Sequence, residues 1–260
     1  MSRFRQDLEQ LVAQARRRDV LRLLAGASLL PFLGCGSEAD GASPDGGITG
    51  GCTRIPEETA GPYPGDGSNG VNALALSGIV RSDIRSSIAG ATGVAAGVPL
   101  TVTLTVVNVA ASCAPLAGAA VYLWHCDALG RYSLYSAGVT AENYLRGVQI
   151  TNAAGQVTFV TTFPGCYSGR WPHIHLEVYP SAAAATGSGS KIATSQIALP
   201  QTSCSAVYAT SAYPGSTANL AQISLATDNV FSDGATYELG AVTGSVAAGY
   251  ALTLTAGITA

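Results

Sequence analysis

The sequence is poor in charge, and in positive charge above all. Charged residues make up 11% of the 260 residues, and Lys and Arg together number 13. Six of these 13 basic residues lie before residue 23, so the remainder of the chain keeps seven against 13 acidic residues. Proteins that bind nucleic acid need a basic patch or stripe. The composition therefore excludes nucleic acid as a partner and makes each remaining arginine notable.

Apolar runs are short at the N-terminus. The run at 23–33 falls below the roughly 20 residues of a membrane-spanning helix, and it follows Arg17 and Arg18 in a pattern that resembles a twin-arginine export signal. Leu33-Gly34-Cys35 resembles the cleavage site of a bacterial lipoprotein, with Cys35 as the lipidated residue. We interpret residues 1–35 as an export signal to the periplasm or cell surface, with membrane attachment through Cys35. A plain signal peptide with a nearby cysteine is the alternative.

Residues 36–51 have few apolar side chains and are predicted to form a flexible linker. Residues 52–260 are then enough for one sizeable domain. Helical periodicity is scarce there, and alternating segments such as Leu-Thr-Val-Thr-Leu-Thr-Val at 100–106 are typical of half-buried strands. Short strands separated by Gly and Pro predict an all-β fold of antiparallel sheets, a sandwich or barrel. We expect strands at 100–106, 119–126, 156–161 and 247–258, and a loop at 181–190.

Histidine is scarce as well. The chain has three histidines, and two of them form the pair His173-Ile174-His175. Successive side chains of a strand point to opposite faces, so Ile174 would face a core while His173 and His175 share the other face. Two imidazoles on one rigid strand face are candidate metal ligands.

Two different ligand sets would complete such a site. The third histidine, His125, would give a three-histidine site that suits zinc or copper. Tyrosines would instead suit a hard, highly charged ion such as Fe(III), because a phenol with a pKa near 10 ionises at neutral pH only beside such a charge. The sequence contains no Cys-x-x-Cys spacing, which argues against a soft metal held by cysteines.

Four segments resemble those of the intradiol ring-cleavage dioxygenases, the family of catechol 1,2-dioxygenase and protocatechuate 3,4-dioxygenase, and their order along the chain is that of the family. The segment at 124–133 is similar to the first signature of the family, and the segment at 145–151 to the strand and turn that follow it. Pro164-Gly165-x-Tyr167, with Arg170 and the histidine pair, is similar to the second signature. Residues 59–63, Thr-Ala-Gly-Pro-Tyr, resemble the approach segment near the start of these domains.

The resemblance implies a β-sandwich with a non-haem Fe(III) held by two tyrosinates and two histidines. By position, these ligands are Tyr132, Tyr167, His173 and His175, and Tyr135 is the fallback for Tyr132. The implied reaction cleaves the ring of a catechol-type substrate with O2 to a cis,cis-muconate-type diacid and needs no external reductant. Tyr167 would accept a substrate proton, and Arg170 would stabilise negative charge on the ring. The implied substrate pocket includes Tyr63, Trp124 and Arg146.

Five cysteines follow Cys35, and an exported protein meets an oxidising compartment that favours disulfides. Cys126 and Cys166 each lie close in sequence to a candidate site tyrosine. We therefore predict that they form a disulfide that braces the site.

The chain also departs from the family pattern. Only six positions separate Tyr167 from His173, an interval that is longer in the well-known catabolic enzymes, and a short interval suggests a more open site. No helical dimerisation segment is visible, and the sequence does not define the oligomeric state. The alternative function is a catalytically idle surface lipoprotein that binds iron or a catecholate ligand.

Overall fold

The computed structural model describes residues 52–260. The predicted export signal at 1–35, with Cys35, and the predicted linker at 36–51 lie outside the described residues. Within 52–260, nine strands form two β-sheets whose inner faces share one hydrophobic core. Among these residues, no helix has both the length and the apolar character of a membrane span.

The first sheet has five strands. Strand β1 pairs antiparallel with β2 and β5 and parallel with β9, which in turn pairs antiparallel with β8. Leu100, Val102 and Leu104 of β1 are buried while the threonines between them are partly exposed, as the alternating sequence predicts. The strands are β1 Pro99–Asn108, β2 Ala114–Pro115, β5 Gln156–Thr162, β8 Ala241–Ser245 and β9 Gly249–Ile258.

The second sheet is antiparallel throughout and has the strand order β4-β3-β6-β7. Strand β6 carries the histidine pair and is buried along its whole length. Both faces of this strand are therefore covered by other parts of the domain. The strands are β3 Ala120–Trp124, β4 Arg146–Ile150, β6 His173–Tyr179 and β7 Ala193–Ala198.

The main core lies between the two sheets. Val102 and Phe159 of the first sheet meet Leu123, Ile174 and Leu176 of the second, and all five are fully buried. Each such side chain stabilises the fold by about 1.5–3 kcal/mol relative to an exposed one. This core fixes the β6 register, so that the histidines point to the other face of the second sheet.

That other face packs against a second cluster rather than against solvent. Tyr122 and Trp124 of β3 and Val148 of β4 contact Leu74 and Ile79, which belong to the irregular segment before β1. The helices lie after β6: α1 Ala182–Thr186, α2 Gln201–Tyr208 and α3 Ser216–Leu220. The predicted loop at 181–190 is thus partly helical, because the Ser181 hydroxyl accepts a hydrogen bond from the Ala184 backbone N–H and caps α1.

The disulfide is not the predicted one. Cys52 and Cys113 are bonded, with 5.5 Å between their Cα atoms, whereas Cys126 and Cys166 are both free thiols. The prediction of a Cys126–Cys166 bridge was wrong because the two side chains belong to different clusters. Cys126 lies on the outer face of the second sheet, and Cys166 lies in the core between the sheets. Cys204, in that same core, is free as well.

Candidate active site

Four side-chain donor atoms converge on the outer face of the second sheet. Tyr132 Oη lies 3.1 Å from His175 Nε2 and 3.3 Å from His173 Nε2. Tyr167 Oη lies 3.2 Å from His173 Nε2 and 3.4 Å from Tyr132 Oη, and the two Nε2 atoms are 3.1 Å apart. Two phenol protons are too few to make each of these contacts a hydrogen bond. The predicted ligand residues are therefore brought together as a cluster of acceptors around one point.

Strand geometry and stacking orient the two histidines. His175 is paired in register with Trp124 of β3, and the two rings stack with 4.8 Å between centroids and 4° between planes. His173 is held through Nδ1, which lies 2.5 Å from the Trp171 carbonyl oxygen. A proton on Nδ1 satisfies that oxygen and leaves the Nε2 lone pair directed at the cluster.

A tight turn after β3 delivers Tyr132. The Asp127 carboxylate accepts hydrogen bonds from the backbone N–H groups of Leu129 and Arg131. Gly130 has a φ of +74°, and a Cβ there would lie 3.0 Å from the Tyr167 Cβ. Glycine is therefore needed both for the turn and for the close approach of the second tyrosine.

Burial sets the charge state of the cluster in the absence of a cation. Loss of hydration raises the pKa of Tyr132 well above its ordinary value and that of Tyr167 to about 12. It lowers the pKa of His173 to about 3, and that of His175 falls because of burial and the neighbouring His173. The phenols are protonated and the imidazoles neutral at neutral pH, so the tyrosines ionise only when a positive charge lies among them.

His125 does not belong to this cluster. Its Nδ1 lies 2.8 Å from the Cys126 carbonyl oxygen and its Nε2 lies 2.7 Å from Thr161 Oγ1. The three-histidine alternative was therefore wrong, because the side chains of Trp124 and His125 leave the chain in opposite directions and Trp124 is the one that reaches His175. Within residues 52–260 no group of three or more His, Cys, Asp or Glu side chains could hold a metal ion, and half of the donors here are phenols.

Arg170 lies beside the cluster and is held from two sides. Its Nε donates to Asp228 Oδ2 at 2.9 Å and its Nη2 donates to Gln196 Oε1 at 2.7 Å. Burial lowers the pKa of the guanidinium, but the charges of Tyr167 and Asp228 outweigh that effect and raise it. Arg170 is thus a fixed positive charge within electrostatic range of both tyrosines.

Sequence reasoning missed both partners of Arg170. Gln196 faces His175 in the β6–β7 register, and an alternating strand after residue 190 was the only signal that could have placed it there. Asp228 belongs to no recognisable motif and to no alternating segment, so the sequence offers no signal that would place it beside Arg170.

The residues that were predicted to line the pocket differ in their position relative to the cluster. Tyr63 lies at the cluster, with its ring centroid 5.0 Å from that of Tyr132. Trp124 is fully buried between Tyr122 and His175, so it supports the His175 ring and cannot line an open pocket. Tyr135, the fallback ligand, donates its hydroxyl to Asn69 and is not part of the donor set.

Arg146 was wrongly predicted to line the pocket. Its guanidinium is 1% exposed and donates to two backbone carbonyls before β1, those of Tyr63 and Pro64, and to Ser133. A guanidinium whose donors are engaged by the protein has none left for a substrate. Arg146 instead ties the segment that passes over the cluster to the residue that follows Tyr132.

The domain is similar to known dioxygenases. Residues 82–184 match the Dioxygenase_C family model, described as Dioxygenase. The intradiol ring-cleavage dioxygenase from Tetranychus urticae is 26% identical, covers 80% of this chain and 95% of its own, and superposes with a TM-score of 0.60. A second dioxygenase structure has the same identity and coverage, with a TM-score of 0.62.

A third structure shows the fold alone. It is the dioxygenase domain of a dioxygenase and carbohydrate-binding protein fusion from Streptomyces sp. SirexAA-E, with 23% identity, 80% and 99% coverage, and a TM-score of 0.50. A search of the curated proteins gave no match. Together the structures confirm the predicted β-sandwich, and the family match and the structures show that the domain is similar to intradiol ring-cleavage dioxygenases.

Proposed function

We propose that the protein is a non-haem Fe(III)-dependent dioxygenase that cleaves the ring of catechol-type aromatics with O2 to cis,cis-muconate-type diacids. The observation that carries the proposal is the convergence of Tyr132, Tyr167, His173 and His175, in which five of the six pairs of converging atoms lie 3.1–3.4 Å apart. The resemblance of the sequence motifs to the intradiol family implies Fe(III), and the similarity of the domain to an intradiol ring-cleavage dioxygenase supports the reaction type.

The donor set fits a ferric ion. Both imidazoles are neutral, and the Nδ1 contact of His173 with the Trp171 carbonyl leaves its Nε2 lone pair free for a metal ion. The two phenols become anionic ligands only beside a strong positive charge. Divalent zinc sites use His, Cys and carboxylate ligands instead. A ferric ion held by Tyr132, Tyr167, His173 and His175 would supply Lewis acidity and redox capacity toward a catechol.

The remaining chemistry belongs to residues of the chain. Tyr167 is the more exposed of the two tyrosines, and as a phenolate it is the group placed to accept a proton from an entering catechol hydroxyl. Arg170, 14% exposed and held by Asp228 and Gln196, is positioned to stabilise negative charge on the ring carbon that meets O2. Both atoms of O2 are incorporated into the product, so the reaction requires no external reductant.

We further propose that the enzyme is exported and held at the membrane through lipidated Cys35. This rests on the twin-arginine-like pattern and the Leu33-Gly34-Cys35 site. The substrates would then be aromatics met outside the cytoplasm.

The first test is a visible absorption spectrum of the purified, iron-loaded full chain, with and without anaerobic catechol. Tyrosinate bound to Fe(III) should give a broad visible charge-transfer band that moves to longer wavelength with catechol, followed by O2 uptake when air is admitted. Tyr132→Phe and Tyr167→Phe should weaken and shift the band, and Tyr237→Phe, an exposed tyrosine, is the matched control. A colourless iron-loaded protein would refute the ligand set, whereas a coloured protein without O2 uptake would be an idle catecholate binder.

A further inference from the structure

The carboxylate of Asp228 is a buried anion that serves four donors. It is fully buried in the segment after α3. Its Oδ2 accepts from Arg170 Nε at 2.9 Å and from the Trp171 backbone N–H at 2.7 Å. Its Oδ1 accepts from the backbone N–H groups of Val230 and Phe231 at 2.8 and 3.2 Å. Each oxygen thus has its own pair of donors, one pair beside the cluster and one pair in its own turn.

The Oδ2 contacts reach a predicted ligand through a single residue. Trp171 donates its backbone N–H to Asp228, and its carbonyl oxygen lies 2.5 Å from His173 Nδ1. The Trp171 indole is fixed separately, since its Nε1 donates to the Leu199 carbonyl at 2.9 Å. The backbone that orients the His173 ring is therefore anchored by the same carboxylate that holds the Arg170 guanidinium.

The Oδ1 contacts hold the Phe231 ring close to both Arg170 and His173. By accepting from the backbone of Phe231, Asp228 holds the start of the 3-10 turn Phe231–Asp233. The Phe231 ring lies 6.0 Å from the Arg170 guanidinium carbon and 6.5 Å from the His173 ring centroid. Among the ion pairs of residues 52–260, Asp228 is the acidic partner of Arg170.

We propose that Asp228 is the positioning residue of this active site, fixing the Arg170 guanidinium and, through the Trp171 backbone, the orientation of His173. It acts through these residues, and all four hydrogen bonds of its carboxylate are made by groups of the protein. The inference rests on the function proposed above, because it assigns Arg170 and His173 their roles in that reaction.

Asp228→Asn separates positioning from support of the turn. An amide keeps one carbonyl oxygen, which can still accept from Val230 and Phe231, but its NH2 group then faces Arg170 Nε and the Trp171 N–H, which are both donors. The variant therefore loses the contacts to the cluster and retains those within the turn. Asp233→Asn, an exposed carboxylate in the adjacent 3-10 turn, is the matched control.

The experiment compares the iron-loaded full-length variants by steady-state O2 uptake with catechol, and the iron-free proteins by the ¹⁵N signals of the His173 ring. Because a displacement near 1 Å of a positioning group can cost about 10²-fold in rate, we expect Asp228→Asn to lower kcat by about 10²-fold with a much smaller change in KM. The His173 signals should show loss of the fixed Nδ1–H tautomer, while Asp233→Asn matches the wild type in both measurements. Unchanged kcat and unchanged His173 signals in a folded Asp228→Asn protein would overturn the inference.

A double variant guards against a misfolded single variant. Arg170→Gln with Asp228→Asn leaves neither charge buried without its partner. The anchoring of His173 is lost in both Asp228→Asn proteins, so the Arg170 part is tested by the effect of Arg170→Gln in the two backgrounds. If Asp228 acts through Arg170, Arg170→Gln should lower kcat by a smaller factor in the Asp228→Asn background than in the wild type. The same fold-loss in both backgrounds would show that the two residues act independently and would contradict the Arg170 part of the proposal. Should the wild type itself lack O2 uptake, the proposed function fails, and the His173 signals of the iron-free proteins still test the anchoring role.

Discussion

Protonation of His125 should lower the free energy of unfolding of the domain as the pH decreases, and His125→Gln should remove this contribution. Its imidazole is fully buried, and loss of hydration lowers its pKa from 6.5 to about 4. Above pH 6.5 it is neutral whether the chain is folded or unfolded, and it contributes no pH dependence. Between pH 6.5 and about 4 the unfolded chain binds a proton that the folded chain does not. Stability is therefore lost as the pH falls through this window.

The size of the loss follows from the window. Each pH unit costs about 1.4 kcal/mol while only the unfolded state is protonated, so the full effect approaches about 3 kcal/mol, and about 2 kcal/mol is reached by pH 4.5. Below about pH 4 the folded state protonates too and the slope from His125 disappears.

The assay is urea unfolding of the iron-free full chain at pH 7 and pH 4.5, followed by circular dichroism. His125→Gln has no titrating group, so the stability difference between it and the wild type should shift by about 2 kcal/mol in favour of the variant on going to pH 4.5. Thr161→Val removes the hydroxyl beside Nε2 but keeps the imidazole, and it should retain the wild-type pH dependence. A stability difference that stays constant between the two pH values would refute the reasoning. Iron-loaded His125→Gln should also keep its visible band.

Two further predictions concern stability at neutral pH. Cys52→Ser with Cys113→Ser opens a loop spanning 61 residues, and loop-closure entropy predicts a loss of about 4 kcal/mol in urea unfolding; dithiothreitol should reproduce it in the wild type, and a loss below about 1 kcal/mol would contradict the entropic account. Lys191→Met leaves the fully buried Glu177 without the cation whose Nζ lies 2.5 Å from its carboxylate. Because Lys191 is partly exposed, we expect a loss of about 2 kcal/mol, and Glu177→Gln added to Lys191→Met should recover most of it; equal melting of the single and double variants would argue against this pairing.

The strands that alternate were predictable, and those that depend on distant partners were not. The predicted segments at 100–106 and 156–161 correspond to β1 Pro99–Asn108 and β5 Gln156–Thr162, because one face of each is buried and the other is not. The segment at 247–258 corresponds to β9, but its parallel pairing with β1 has no local signature. The helices α2 and α3 were missed because they have only eight and five residues and the buried face of α2 includes Ser203 and Cys204, which leaves little hydrophobic periodicity to detect.

The site divides in the same way. Alternation in β6 placed His173 and His175 on one face, and alternation in β3 already separated His125 from Trp124. The motif resemblance brought in Tyr132 and Tyr167, which the structure gathers at the same point. Long-range packing decided the rest: the carbonyl partners of Arg146 lie 82 and 83 positions earlier, and cysteine pairing depends on which sheet face each thiol occupies.

Strand β9 lies between β1 and β8, so the first sheet has a gap in its middle until the final strand of the domain is made. During synthesis, all four converging residues between 132 and 175 leave the ribosome long before the strand that completes the sheet. The growing chain therefore holds the four converging side chains in an unfinished scaffold, with one edge of β1 unpaired and open to association with other strands. Completion of the first sheet should accordingly be a late step in the folding of this domain, because it requires strand β9.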